Sequence, residues 1–427
     1  MLKKILVKGP ALSRSGYGEQ TRFALRALRS RSDVFEVFII NIPWGRTGHI
    51  TDTGEETQWI HKTMAKTAAY AQTAQGSPQF DLSLQVTIPL EFEKIAPINI
   101  GYTAGIECSK VSPKWIEKSN ATVDKIITIS GHSKNVFENT KYNVTNQQTG
   151  EQVANWGLTV PVGVVGYPVK QTDPEPLDVE FETTKNFLVV SQWGPRKNLD
   201  NTIRWFVEEF KDDPDAGLIL KTNMASDSIM DREFTSHRLK RLLSEAKAWG
   251  VEDRKCKIYL LHGELTEGNL TWLYQHPTML ALVNIAHGEG FGLPLFEAAY
   301  NGLPLVTITW GGQMDFICKK NKKGKLVPHV ARVNYDVAPV QAAAVWEGVI
   351  EKDSMWAFAK EASYKNALRD VTEKQKHHRN LADNLKKEIL ANFDENTLYE
   401  KFVSFLHEEP DEEVAEWLKK IEKISEL

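Results

Sequence analysis

Short apolar runs alternate with amphipathic stretches along most of this chain. Residues 4–8, 34–42, 99–103 and 125–130 read as strands, and 154–165 contains further strand candidates. Residues 16–30 read as a loop entering an amphipathic helix, with Phe23, Leu25, Ala27 and Leu28 as its apolar set. A second alternating series starts at 186–191 and runs through 218–221, 257–261, 279–286 and 303–309. Alternation of this kind argues for parallel sheets with helices on both faces. Between the two series, residues 169–182 are polar and carry two prolines, which reads as a linker. The expected organisation is α/β with two Rossmann-like, doubly wound domains, 1–168 and 183–390. C-terminal helices over 391–427 are expected to pack back on the first domain. Residues 44–80 read as an elaborated loop with a helical piece at 59–74. The last ~90 residues read as almost entirely helical, with Val414, Trp417, Leu418 and Ile421 marking one apolar face. Two such domains make a cleft at the carboxyl ends of their strands, where ligands of these sheets bind.

The densest chemistry lies in residues 287–304, His-Gly-Glu-Gly-Phe-Gly-Leu-Pro-Leu-Phe-Glu-Ala-Ala-Tyr-Asn-Gly-Leu-Pro. The apolar run 278–286 before it reads as a buried strand. Pro294 suits the first turn of a helix. The chain thus leaves a strand, turns on Gly290 and Gly292, and opens a helix whose free N–H groups suit an anion. Glu289 falls in the loop and Glu297 one turn inside the helix, separated by seven residues. Carboxylates repel phosphate but accept hydrogen bonds from hydroxyls, and hydroxyls beside a phosphate describe a nucleotide sugar.

Composition narrows the field. The 427 residues are 41% hydrophobic and 25% charged, with a net charge of −4. That gives no global field for nucleic acid or anionic membrane. Two local clusters stand out: Arg14, Arg22, Arg26, Arg29, Arg31 and Arg46, and the lysines from Lys319 to Lys325. Most charge runs are solvated faces. The three cysteines show neither metal-ligand spacing nor a disulfide framework, and a reducing cytoplasm fits them best. No metal and no cofactor is expected. The basic start of the chain has too short an apolar run for a signal peptide, and no window approaches a membrane span. Asp213-Pro-Asp215 reads as a turn, and His132 and His287 as lone histidines.

The 289–297 segment, with Gly-Phe-Gly-Leu-Pro, Asn-Gly-Leu-Pro and Gly311-Gly312, resembles the E-x7-E motif of GT-B fold retaining glycosyltransferases, family four, the glycogen-synthase-like group. The resemblance covers almost the whole chain. Ser191 to Asn198 is similar to the loop opening the second domain, where a basic pair grips the donor diphosphate. Lys197 matches the family lysine, while Gln192 stands where many members have arginine. The resemblance leaves Arg196 or Lys221 to supply the second positive charge. Glu107, Pro113 and Trp115 resemble a subgroup pattern, and Gly16-Tyr17-Gly18 resembles the glycine loop after the first strand. No histidine stands near Glu107, where many relatives carry one.

The resemblance implies a metal-independent, retaining transfer from a nucleotide diphosphate sugar, UDP-linked in the first instance. Lys197 with Arg196 or Lys221 would neutralise the leaving diphosphate, and Gly290, Phe291, Gly292 and Leu293 would add backbone donors. Glu289 would hold sugar hydroxyls and Glu297 the ribose hydroxyls. Gly16 and Gly18 would also line the donor side, with Glu107 and Tyr17 on the acceptor side. The acceptor stays open between a glycan, a lipid-linked glycan and a hydroxymethylated base in phage DNA, the last supported by the arginine-rich stretch. The competing readings are a non-catalytic nucleotide-sugar binder or transferase-complex subunit, and an epimerase. The sequence leaves the oligomeric state open.

Overall fold

The computed structural model describes residues 2–45, 47–145, 150–245 and 248–407. Arg46 and the apolar positions Val414, Trp417, Leu418 and Ile421 lie outside them.

The first half is built from β1 (Lys3–Gly9), α1 (Gly16–Arg29), β2 (Phe35–Asn41), α2 (Glu55–Thr73), β3 (Leu82–Val86), β4 (Ile98–Thr103), α3 (Pro113–Thr122), β5 (Lys125–Thr128), α4 (Gly131–Asn139), a β6 (Lys141–Thr145) and β7 (Gln152–Gly157) hairpin, and β8 (Val162–Val164). Six of its strands form one sheet in the order β2-β1-β3-β4-β5-β8, parallel throughout. No helix or strand interrupts 165–184. The second half runs β9 (Lys185–Gln192), α5 (Leu199–Phe210), β10 (Ala216–Asn223), α6 (Ile229–Ser244), β11 (Lys257–Leu261), α7 (Glu267–Gln275), β12 (Met279–Asn284), α8 (Leu293–Tyr300), β13 (Leu305–Ile308), α9 (Met314–Ile317), a β14 (Cys318–Lys320) and β15 (Leu326–Pro328) ribbon, and β16 (Ala331–Val333). Its sheet, also parallel, has the order β11-β10-β9-β12-β13-β16. A second ribbon, β17 (Tyr335–Pro339) with β18 (Met355–Ala359), precedes α10 (Glu361–Glu373), α11 (Gln375–Asn392) and α12 (Glu395–Leu406). The two-domain, doubly wound α/β architecture expected from the alternation is the one found. No helix among the described residues is long and apolar enough to cross a membrane.

Several elements depart from the sequence reading, among them β6, β14, β15 and β16, which it does not expect as strands, and two further departures are explained by their neighbours. Strand β3 has no counterpart among the predicted strands. Its sequence, Leu-Ser-Leu-Gln-Val, alternates as a half-solvated strand would, yet all five residues are buried. Ser83 and Gln85 tolerate this because each finds a partner: Ser83 Oγ donates to Asn99 Oδ1 at 2.9 Å, and Gln85 Nε2 to the Glu93 carbonyl at 2.7 Å. Residues 335–359 hold no α-helix either, only a single 3-10 turn at Ala342–Ala344. They form the β17–β18 ribbon, which places Trp356, 1% exposed, against Cys108 of the first domain. Helix resumes only at Glu361.

The chain then crosses back to the first domain. Helix α12 lies on α1, with the Phe402 and Tyr399 rings 5.4 and 5.6 Å from Phe23. Phe402 is fully buried. Phe402→Ala is expected to cost about 3–5 kcal/mol, from lost transfer free energy plus the cavity left behind. A urea-unfolding midpoint equal to that of the parent would show that α12 docks without stabilising the domain.

Candidate active site

Strands β9 and β12 are neighbours in the second sheet, so the loops leaving their carboxyl ends lie side by side. After β9 the chain makes a short 3-10 turn, Pro195–Lys197, ended by Asn198 in the left-handed region. After β12 it runs through 285–292 and enters α8 at Leu293, with Pro294 in the first turn and Gly292 capping at φ +89°. The two loops meet at Glu289. Lys197 Nζ lies 2.6 Å from Glu289 Oε1, and Arg196 Nη1 lies 3.1 Å from Oε2. Asn284 Nδ2 also donates to Glu289, at 3.1 Å. Arg196 donates to the Gly288 carbonyl at 2.6 Å, and its other terminal nitrogen reaches Glu107 of the first domain at 2.7 Å. Glu289, Lys197, Arg196 and Glu107 therefore form one cluster across the domain boundary.

The glycines around Glu289 make this contact possible. A Cβ on Gly288 would stand 1.9 Å from the Glu107 carbonyl oxygen, and one on Gly290 2.4 Å from that of Ala104. The motif lies backbone to backbone against residues 104–107. That segment is held in turn by the Tyr17 hydroxyl, which accepts from the Ala104 and Gly105 N–H groups at 3.2 and 3.0 Å and shares a 2.8 Å bond with Thr103. Tyr17 belongs to the first turn of α1: Gly16 opens the helix, Gly18 lies inside it, and Ser15 caps it. The expected glycine loop is thus a helix N-terminus. Ser109 and Met355 exchange two hydrogen bonds, at 3.2 and 2.9 Å, and Asp315 of α9 accepts from the Gly131 N–H of α4 at 2.8 Å.

Burial alone would raise the Glu289 carboxyl, but Lys197 and Arg196 overcome it and hold the group down to about 2. Lys197 is pushed below its ordinary range, first by burial and then by Arg196 beside it. Burial raises Glu107 despite Arg196. Two carboxylates and two cations leave the cluster near neutrality, the condition under which charges survive burial.

The remaining residues singled out by the sequence lie around this cluster. Glu297 projects from α8 and accepts from the Tyr274 hydroxyl at 2.8 Å. Burial pushes its carboxyl up to about 7. Lys221 lies two residues before the end of β10, 3.9 Å from Asp227, and burial lowers it. Arg196, not Lys221, joins Lys197 at Glu289. Gln192 spends its amide on the Met224 carbonyl, at 2.8 Å. Phe291 packs against Tyr167, Phe296 and Phe316, while Leu293 begins α8. His287 is buried under Trp356 and Phe358, its Nδ1 3.0 Å from the Ala357 carbonyl oxygen. His132, on α4, stacks edge-on to Trp310 across the boundary, with ring centroids 5.1 Å apart. Spatial proximity, invisible in the sequence, brings this histidine close to the loop that carries Glu107.

The arginine-rich stretch changes meaning. Arg22 and Arg26 share Glu19, at 3.0 and 2.6 Å, and Arg26 also holds Glu56 at 2.9 Å. Arg29 pairs with Glu55 at 2.6 Å, Arg31 with Asp33 at 3.0 Å, and Arg14 with Glu264. Among the described residues this charge is neutralised within the protein, so these five arginines give no support to nucleic-acid binding.

No known family model matches the sequence, and no curated protein matches it. Solved structures do resemble it. Anabaena HepE in complex with UDP-glucose aligns at 14% identity over 95% of this chain and 99% of that one, with a TM-score of 0.54. Sucrose-phosphate synthase from Thermosynechococcus elongatus aligns at 13% identity over 95% and 98%, with a TM-score of 0.57. OtsA aligns at 11% over 96% and 100%, with a TM-score of 0.55. The fold is GT-B. The cluster lies where the two domains face each other. A cavity of about 10 Å³ adjoins Lys197. The roomier groove, about 340 Å³, crosses the outer edge of the first sheet between Leu28, Phe35 and Trp59, far from these charges. A ligand of nucleotide size needs on the order of 300 Å³ or more, which the cavity beside Lys197 does not offer.

Glu297 generates a pH prediction. Its carboxyl stands at about 7 in the folded chain against an ordinary 4.5. The native state therefore binds more protons than the unfolded one between those values, and stability falls as pH rises through that window. Glu297→Gln keeps an acceptor for Tyr274 without the charge. Its melting temperature is expected to match the parent at pH 4.5 and exceed it at pH 8. Parallel melting curves across that range would count against the burial of this carboxyl.

Proposed function

We propose that this chain is a metal-independent, retaining glycosyltransferase that takes a sugar from a UDP-linked donor and delivers it to a hydroxyl. The observation that carries the reading is the convergence of Lys197 and Arg196 on Glu289 at the carboxyl ends of adjacent strands. Breaking a glycosidic bond to a diphosphate leaves negative charge on the departing β-phosphate. Two fixed cations and the N–H groups opening α8 are suited to receive it. Those cations are held by Glu289 and Glu107 in the closed chain, and a diphosphate would take over their hydrogen bonds. Glu289, released from part of its pairing, then has lone pairs for sugar hydroxyls. Glu297, in its ionised form, accepts from the ribose. The acceptor hydroxyl approaches past Glu107 and Tyr17. A glycan, a lipid-linked glycan and a hydroxymethylated DNA base all carry a suitable one. The HepE structure with bound UDP-glucose supports the choice of donor.

A second reading, a nucleotide-sugar binder without turnover, is favoured by Gln192. It offers no charge where the resemblance leads one to expect an arginine.

The test is a panel of nucleotide sugars. UDP-glucose or a UDP-linked relative is expected to raise the melting temperature, because ligand that binds only the native state stabilises it. The parent is expected to release UDP slowly without acceptor; stabilisation with no UDP release selects the second reading, and no shift with any sugar overturns both. Lys197→Ala is expected to lower turnover by about 10²–10³-fold while the chain still folds. A loss confined to stability would mark Lys197 as structural.

A further inference from the structure

The second basic cluster of the sequence, Lys319 to Lys325, keeps most of its charge without an ion-pair partner among the described residues. Residues 318–331 contain no aspartate or glutamate, although the chain holds an excess of acids over bases. The stretch forms the β14–β15 ribbon, with Lys319 facing Val327 and Lys320 facing Leu326. Lys319 is held by Glu388 of α11 at 2.7 Å. No ion pair among the described residues reaches Lys320, Lys322, Lys323 or Lys325, and residues 320–327 are all exposed.

The tip is shaped rather than loose. Asn321 Oδ1 accepts from the Lys323 and Lys325 N–H groups at 2.9 and 3.0 Å, and Gly324 turns the chain at φ +75°. Four lysines thereby fall within the six residues 320–325 of one shaped turn, so an external polyanion would meet several of them at once. The arginines of α1, by contrast, are all matched to carboxylates.

The ribbon is also tied to the candidate site. Gly312 N–H donates to the Glu289 carbonyl at 2.7 Å, and one short helix, α9, leads from there to Cys318. Asp315 of that helix is bound to Gly131 of the first domain.

We propose that the β14–β15 ribbon docks duplex nucleic acid, which places the acceptor among modified DNA bases rather than neutral glycans. A two-stranded ribbon is of a size that enters a major groove about 12 Å wide. The lysines around its tip meet the flanking phosphates, and Leu326, 53% exposed, offers apolar contact to base edges. The assignment of an acceptor rests on the transferase reading above; binding of the duplex does not.

The experiment measures binding of a 30-base-pair DNA duplex between 50 and 200 mM salt. The parent is compared with a variant carrying Lys320→Gln, Lys322→Gln, Lys323→Gln and Lys325→Gln. The parent is expected to bind, with log affinity falling linearly against log salt. Each phosphate contact contributes about 0.9 to that slope, so the variant's slope should be shallower by about 3–4. At 50 mM salt its affinity should fall at least tenfold. The UDP-glucose melting shift, measured on both proteins, should be the same, which shows that the variant folds and keeps the donor reading separate. No binding of the duplex by the parent overturns the proposal. So does binding that the variant retains, or equal competition by polyglutamate, which has the charge but no groove.

Discussion

The carboxylate of Glu289 is the interaction on which the rest of the site depends. It is buried at 5% exposure and stays ionised only because Lys197 and Arg196 reach both of its oxygens. Remove either cation and the remaining charges are unbalanced in a poorly hydrated place, where an uncompensated ion costs several kcal/mol. The loops after β9 and β12 are therefore fixed relative to each other by electrostatics as much as by packing. Arginine suits the position next to Lys197, because its planar fork can serve two carboxylates and a carbonyl at once. A lysine there would offer one point charge and could not span from Glu289 to Glu107.

That span gives the charge cluster a second role. Arg196 belongs to the second domain, and Glu107 to the first. The same guanidinium that balances Glu289 also joins the two halves, so local charge balance and domain closure are coupled. A polyanionic ligand entering between the domains would compete for both functions of Arg196 together.

The sequence made much of this legible. Alternating runs gave the two parallel sheets, and Gly292 with Pro294 marked the entry into α8. Glu289 and Lys197 stood out by residue type and context. What stayed hidden was set by distant neighbours. Strand β3 looked half-solvated because Ser83 and Gln85 are polar, and only Asn99 and Glu93 explain their burial. The β17–β18 ribbon owes its form to a pocket for Trp356 beside Cys108, far away in the chain. The arginines of α1 read as a basic patch until Glu19, Glu55 and Glu56 were found against them. In the same way, nothing local announces that Arg196 meets Glu107 or that His132 faces Trp310.

The glycines flanking Glu289 carry a consequence for how the halves come together. At Gly288 and Gly290 the nearest approach is main chain to main chain, to the carbonyl oxygens of Glu107 and Ala104. Flexible side chains would let two surfaces settle at a range of depths, whereas peptide planes against peptide planes have one seating position. A residue larger than glycine at either position would hold the two halves apart, because a main-chain carbonyl cannot turn aside as a side chain can.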